Sequence, residues 1–328
     1  MSIFPWQLDQ WQHITDLKQK NRLPHALLLV GLEGTGKIKF AQALASALLC
    51  QLPGPTGFAC GTCHACRLIE GKTHPNLLIV KPQDKSHIIK VDQIRELNEF
   101  LQQSALNGEY TIVIIHPAQV MNINAANALL KTLEEPANNS LLILVTPHSE
   151  NLPRTIISRC QRLAFPKPKT EQALKWLRQE LNDSGVDAEL LLRLAHGAPL
   201  TAQQTAEDNF LPLRQEIYQT LPKLLGKPQS ILHYAQSLQA HSPLQVIDLI
   251  LSWVLDLLRL HLGASSMDIV NRDYAESLLA LGKMTYLTPT TYYLDYLIAL
   301  RKQLNTQIAL NKQLVIESAL LKWMECTK

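Results

Sequence analysis

The 328-residue chain reads as an α/β module built on a parallel sheet, followed by an all-helical region. Three observations carry this reading. Strand and helix patterns alternate as far as Phe165, the mark of a parallel sheet covered by helices. Strand patterns then stop at a proline-bearing junction, Phe165-Pro-Lys-Pro-Lys169. A glycine-rich loop, Gly31-Leu-Glu-Gly-Thr-Gly36-Lys37, lies between the first strand and a long helix, which is the context a phosphate loop needs.

Each element follows from local pattern. His25 to Val30 is a short apolar run ending at glycine, a buried strand by length and flanks. Lys37 to Cys50 is a helix with Phe40, Leu44 and Leu48 on one face. Leu77 to Val80 is the second strand. Val91, Ile94, Leu97 and Leu101 recur at helical spacing, so Val91 to Gln103 is an amphipathic helix. Tyr110 to Ile115 is a β-branched strand. Asn122 to Glu135 is a helix that stops before Pro136. Leu141 to Thr146 and Cys160 to Phe165 complete the strands. Beyond the junction, Thr170 to Gly197 reads as short helices, and from Glu207 the pattern is long helices only. Three apolar stripes stand out there: Trp253, Leu257, Leu258 and Leu260; Tyr293, Leu297, Ile298, Leu300 and Leu304; and Leu314, Ile316, Ala319, Leu320 and Trp323.

Composition excludes several classes. Hydrophobic residues make up 46% and charged residues 18%, so the chain is neither disordered nor fibrous. The net charge of +3 does not diagnose nucleic-acid binding. Residues 1–166 carry 15 basic and 12 acidic side chains, while the rest is balanced, so the positive excess belongs to the α/β part. The N-terminus lacks the basic start and apolar stretch of a signal peptide. The most apolar region, Val246 to Leu262, is interrupted by Asp248, Asp256 and Arg259, too often for a membrane helix. A cytoplasmic protein with reduced thiols and no membrane partner is expected.

The phosphate loop departs from a working one. The position after Lys37 should be Ser or Thr to ligate magnesium and is Ile38, whose side chain cannot coordinate a cation. The strand ending at Ile115 should be followed by acidic residues and is followed by His116-Pro117, with no carboxylate in the next six positions. These two lesions argue against ATP hydrolysis. For Gly31, Gly34, Gly36 and Lys37 two readings stand, weak phosphate or nucleotide binding without turnover and a structural relic that keeps the turn.

Four of the six cysteines, Cys50, Cys60, Cys63 and Cys66, lie within 17 residues of a turn-rich loop. Short cysteine spacings in a reducing compartment suit tetrahedral zinc, and four thiolates leave no open position, so the site is structural. Zinc and four thiolates would bring the net charge from +3 to about +1. A nucleic-acid-binding zinc ribbon would need basic and aromatic residues, but the loop offers only Phe58 and, just beyond it, Arg67. Leu152 to Ile157 leads into Ser158-Arg159-Cys160 where a helix ends and a strand begins. Beside a degenerate phosphate loop, Arg159 suits an arginine finger offered to a neighbour's nucleotide, with Cys160 a small core residue.

Taken together, these segments resemble the AAA+ clamp-loader family of bacterial DNA polymerase III. The resemblance is carried by Leu23-Pro-His-Ala-Leu27, the four cysteines, Gly71-Lys-Thr-His-Pro75, Asn127-Ala-Leu-Leu-Lys-Thr-Leu-Glu-Glu-Pro136 and Ser158-Arg159-Cys160. Near the end, Asn311-Lys-Gln-Leu314 with Ala319-Leu-Leu-Lys-Trp323 is similar to that family's last helix. The resemblance implies an AAA+ (RecA-like) ATPase-like domain over 1–166 with a zinc-binding insertion at 50–66. It further implies a helical lid over 167–206 and a helical collar over 207–328, through which subunits form a ring. It also implies a non-hydrolysing part of the polymerase III complex that helps load a sliding clamp onto primed DNA. The implied partners are the gamma and tau motor subunits and the delta subunit, with the clamp and primer-template DNA met through the assembly. Arg159 would serve an adjacent motor. Gly197-Ala-Pro-Leu200 lacks the arginine with which a motor's lid senses nucleotide. The rival, an ATP-hydrolysing gamma- or tau-like motor, would require Ser or Thr at 38 and acidic residues at 116 and 117.

Overall fold

The computed structural model describes residues 3–83, 86–104, 110–182, 186–207, 210–226, 231–305 and 311–326. The chain forms two compact units, Met1–Gln203 and Gln204–Lys328.

In the first unit, helix α1 (Leu8–Gln19) precedes strand β1 (Ala26–Val30). Helices α2 (Lys37–Leu49) and α3 (His64–Glu70) follow, then β2 (Leu77–Val80) and α4 (Val91–Ser104). Next come β3 (Thr111–Ile115), α5 (Ile123–Glu134), β4 (Ser140–Thr146), α6 (Arg154–Ile157) and β5 (Gln161–Ala164). The five strands pair in parallel in the order β2-β3-β4-β1-β5. The expected alternation is therefore present, with boundaries shifted by at most one residue.

The central strands β1, β3 and β4 are buried on both faces, which is why they read as unbroken apolar runs, while the edge strands β2 and β5 are partly exposed. The period of two still sorts them. Leu27, Leu29, Ile112, Ile114, Leu141 and Ile143 face Trp11, Ile14, Phe40 and Leu44 of α1 and α2. Leu28, Val30, Val113, Ile115, Leu142 and Leu144 face Ile94, Leu97, Leu129, Leu133 and Ile156 of α4, α5 and α6.

After the Pro-Lys-Pro junction come α7 (Thr170–Glu180), α8 (Ala188–Leu194) and α9 (Pro199–Glu207), the last running across the boundary between units. The second unit holds α10 (Phe210–Gly226), α11 (Ile231–Leu238), α12 (Pro243–His261), α13 (Ala275–Met284), α14 (Leu287–Asn305) and α15 (Lys312–Met324). Asn311 caps α15 by accepting from the Gln313 and Leu314 amides, and Pro243 starts α12 where its missing N–H costs nothing. The core centres on α12, with Trp323 donating its indole N–H to the Leu221 carbonyl at 2.9 Å and Tyr293 its hydroxyl to the Ala319 carbonyl at 2.9 Å.

Two stripe residues do not belong to that core. Ile298 is 51% and Leu314 61% exposed. Ile298 follows buried Leu297, and one helical step is about 100°, enough to rotate it out of the stripe. Leu314 sits in the first turn of α15, where Val315 and Ile316 take the inward positions.

The second unit also buries charge. Asp256 is fully buried and accepts from the Val270 and Asn271 amides, the Asn271 side chain and Arg259. Arg214 pairs with Asp273 at 2.7 Å, donates to Asn271 Oδ1 and lies over the Trp253 and Tyr274 rings. With partners on every side these groups hold their geometry, whereas a lone buried charge would be strongly destabilising. No helix is long and apolar enough to cross a membrane among the described residues.

Candidate functional site

Three features carry the chemistry: the phosphate loop, the thiol cluster and Arg159.

The phosphate loop leaves the C-terminal end of β1 and opens α2, where ligands of parallel α/β sheets bind. Gly34 and Gly36 have φ of +74° and +86°, a region that side chains rarely adopt. The loop is filled by its own chain. A Cβ at Gly36 would strike the Phe4 ring, and one at Gly34 would strike Thr201. Trp6 Nε1 and Gln7 Nε2 each donate to the Thr35 carbonyl at 2.9 Å. The Leu200 amide donates to the Gly34 carbonyl at 3.0 Å. Phe4 and Trp6 stack at 4.9 Å, and Trp176 of α7 meets both edge-on at 5.4 Å. An aromatic cluster, with the Trp6 indole and the Gln7 amide donating, thus packs against the loop at Thr35 and Gly36.

Lys37 turns back on its own loop. Its ammonium donates to the Gly31 carbonyl at 2.5 Å and the Leu32 carbonyl at 2.8 Å. Burial pulls its pKa down to about 8, against a small opposing pull from Glu33. His116, at the end of β3, is held below its usual value first by burial and then by the Lys37 ammonium. Its Nδ1 is buried and without a hydrogen-bond partner. The position that would hold an acid thus presents an imidazole that charges reluctantly.

A depressed lysine leaves a pH signature. Between about pH 8 and the usual lysine value of 10.5, the unfolded chain keeps a proton that folded Lys37 has lost. Stability therefore rises with pH across that window. Denaturant titrations should show this rise in the wild type relative to Lys37→Met; parallel pH profiles for the two proteins would contradict it.

The four thiols converge. Cys50, at the end of α2, and Cys63, the N-cap of α3, have sulfurs 3.9 Å apart, and those of Cys60 and Cys66 are 4.0 Å apart. All four lie within 4.8 Å of one another. Zn–S bonds near 2.3 Å in a tetrahedron put sulfurs about 3.8 Å apart, so the spacing fits a zinc ion. Backbone amides point at the sulfurs: Cys60 N–H at Cys50 Sγ (3.2 Å), Cys63 N–H at Cys60 Sγ (3.4 Å) and Cys66 N–H at Cys63 Sγ (3.5 Å). Backbone donors, Thr62 first and then Cys63, pull the Cys60 thiol down to about 6, while burial pushes Cys66 up to about 12. A central cation is what would allow all four to ionise together. The loop is pinned to α1 by Phe58 stacked on Trp11 at 4.3 Å and by the Trp11 indole donating to the Thr56 carbonyl. His64 and His74 are not in the cluster.

Arg159 stands between α6 and β5, as expected. The register fixes where this is. Gln161 pairs with Leu27, and Ala164 with Val30, so Arg159 precedes β5 at the edge where β1 begins. The phosphate loop leaves the other end of β1. The four paired residues between them span about 10 Å. Arg159 therefore lies at the opposite edge of the sheet from its own loop. Its side chain is 36% exposed and pairs with Glu134 at 2.7 Å. Cys160 is half-buried against the α4–α6 side of the sheet, and burial pushes its thiol up to about 11.

Pattern reading did not find Phe4, Trp6, Gln7 or Glu134. The only trace of the first three is an aromatic, proline-containing N-terminus without periodicity. Glu134 lies inside a recognised segment but is one of two adjacent glutamates, and spacing does not say which one turns toward Arg159.

The profile of the family described as "DNA polymerase III, delta subunit" matches residues 6–169, and that of "DNA polymerase III, delta subunit, C terminal" matches residues 208–325. "DNA polymerase III subunit delta'" of Pseudomonas aeruginosa is 34% identical over 98% of this chain and 97% of its own length. The protein of that name from Escherichia coli is 32% identical over 83% of this chain and 80% of its own. "DNA polymerase III subunit tau" of Escherichia coli is 34% identical over 54% of this chain but only 28% of its own length.

Proposed function

The chain belongs to the DNA polymerase III delta-subunit family, and from that membership we propose that it is a non-hydrolysing subunit of a cytoplasmic clamp loader. In this reading residues 1–166 are an AAA+ domain that has given up nucleotide, 167–206 its lid and 207–328 a collar. The partners are gamma and tau motor subunits and the delta subunit. The sliding clamp and primed DNA are met by the assembly. Zinc on Cys50, Cys60, Cys63 and Cys66 is structural and orders the insertion at 50–66.

One arrangement carries the proposal: the chain's own phosphate loop is filled, while Arg159 is presented from the opposite edge of the sheet. A finger so placed cannot act on its own loop. It can complete a site on a neighbour, where the motor supplies the magnesium and phosphates that this chain has no residues to hold. Lys37 spends two of its three donors on Gly31 and Leu32, and Phe4, Trp6 and Gln7 pack against the loop, which supports the relic reading over weak nucleotide binding.

The isolated protein is expected to show no magnesium-dependent ATP turnover and no saturable binding of a fluorescent ATP analogue. Phe4→Ala combined with Trp6→Ala uncovers Gly36 and the Thr35 carbonyl, so weak analogue binding is expected to appear, still without turnover because Ile38 and His116 remain. Turnover by the wild-type chain alone would overturn the proposal.

A further inference from the structure

We propose that Glu134 is a positioning residue for Arg159, holding the guanidinium fork in the orientation in which it meets phosphate on an adjacent subunit. The inference rests on the reading of Arg159 as a finger given to a neighbour.

An exposed arginine has large rotamer freedom and does not by itself keep one orientation. Arg159 is tied at two points from two different helices. Its Nη2 meets Glu134 Oε1 at 2.7 Å, and its Nη1 donates to the Thr155 carbonyl at 2.9 Å, with Ser158 Oγ at 3.5 Å. Both anchors sit on rigid supports. Glu134 ends α5, where Glu135 caps the helix and Pro136 bars its continuation. Its neighbour Leu133 is buried with Leu129 and Ile156 in the core that joins α5 to α6. Thr155 belongs to α6 itself. The carboxylate is thus carried on one helix and the arginine on the connection after the next.

The donor arithmetic leaves the finger usable. A guanidinium has five N–H groups in a fixed fork. Glu134 engages one on Nη2, and Thr155 with the longer Ser158 contact takes Nη1, so Nη2 keeps its second hydrogen and Nε keeps its own. The ties aim the fork without spending it. Stability does not explain the pair either. With side chains 36% and 52% exposed, it belongs to the class of ion pairs worth little to folding. Its consequence is geometric.

The test uses the complete reconstituted loader with clamp and primed DNA, following rapid single-turnover hydrolysis at the site Arg159 faces. Glu134→Ala is expected to lower the rate at saturating ATP by roughly ten- to a hundredfold, with the ATP concentration for half-maximal rate little changed. Glu134→Gln keeps an oxygen that accepts from Nη2 and should restore most of the rate. In the Arg159→Ala background, Glu134→Ala should add nothing, because the two act as one unit. Full-speed hydrolysis in Arg159→Ala would remove the finger reading and this inference with it. A slow Arg159→Ala beside a full-speed Glu134→Ala would overturn this inference alone. So would a double variant slowed by the product of the two single effects, or a Glu134→Gln as slow as Glu134→Ala. Glu134 is a half-exposed helix-end residue, so the variants should fold and enter the complex, which gel filtration confirms.

Discussion

Arg159→Ala is expected to slow hydrolysis at the adjacent motor site by about 10³-fold or more, while the loader still assembles and the other motor sites keep their rate. The magnitude follows from what a finger does. Charge spreads over the transferring phosphoryl oxygens, and a guanidinium placed there in advance stabilises it without reorganisation. Lysine should not rescue it, because an ammonium is a single point of charge and lacks the fork that Glu134 and Thr155 align. The measurement is the amplitude of the fast phase in a single-turnover experiment. It should fall by one ATP per complex in Arg159→Ala, and an undiminished amplitude at the wild-type rate would sink the assignment. Folding should be untouched, since the side chain is partly exposed and its one ion pair is a surface contact.

Replacing Cys63 and Cys66 together with serine is expected to abolish metal binding and disorder the insertion around them. Elemental analysis should find one zinc per wild-type chain and none in the double variant. Apparent zinc affinities of thiolate sites amount to ~10–16 kcal/mol, far more than this loop can gain otherwise. Its other anchors within the described residues are few: Phe58 against Trp11, the Thr56 carbonyl, and the inner face of α3 at Ala65 and Ile69. Hydrogen exchange should therefore lose protection over 50–70 and keep it in β1, β3 and β4, whose residues are almost wholly buried. Strong chelation of the wild type should give the same pattern. Unchanged exchange after the metal is gone would show that the loop is held by packing and not by zinc.

The two sites differ in how far they could be read from residue order. The four clustered cysteines are close in sequence, in a turn-rich loop, and their sulfurs do come together, as their spacing suggests. The lesions at Ile38 and His116 were equally legible, because a phosphate loop and the strand beside it put fixed side-chain types at fixed offsets. Burial in the helical unit was legible only by stripe, and a stripe is about one residue too coarse: Ile298 and Leu314 fit the apolar rhythm and still point outward.

Residue order alone thus indicated the five strands, the parallel character of the sheet and the grouping of the four thiols, but not helices α1 and α3. Each of these depends on side chains a few positions apart, within reach of local backbone geometry. Three further facts needed the folded chain. The N-terminal Phe4, Trp6 and Gln7 fill a loop that begins more than twenty residues later. Glu134 reaches Arg159 across the whole of β4 and α6. Arg159 lies at the edge opposite its own phosphate loop because β5 pairs with β1 in parallel, with Gln161 beside Leu27. No local pattern encodes such pairings. They arise when the strands of a sheet line up, and the strand ends then decide which groups share a site and which are kept at opposite edges.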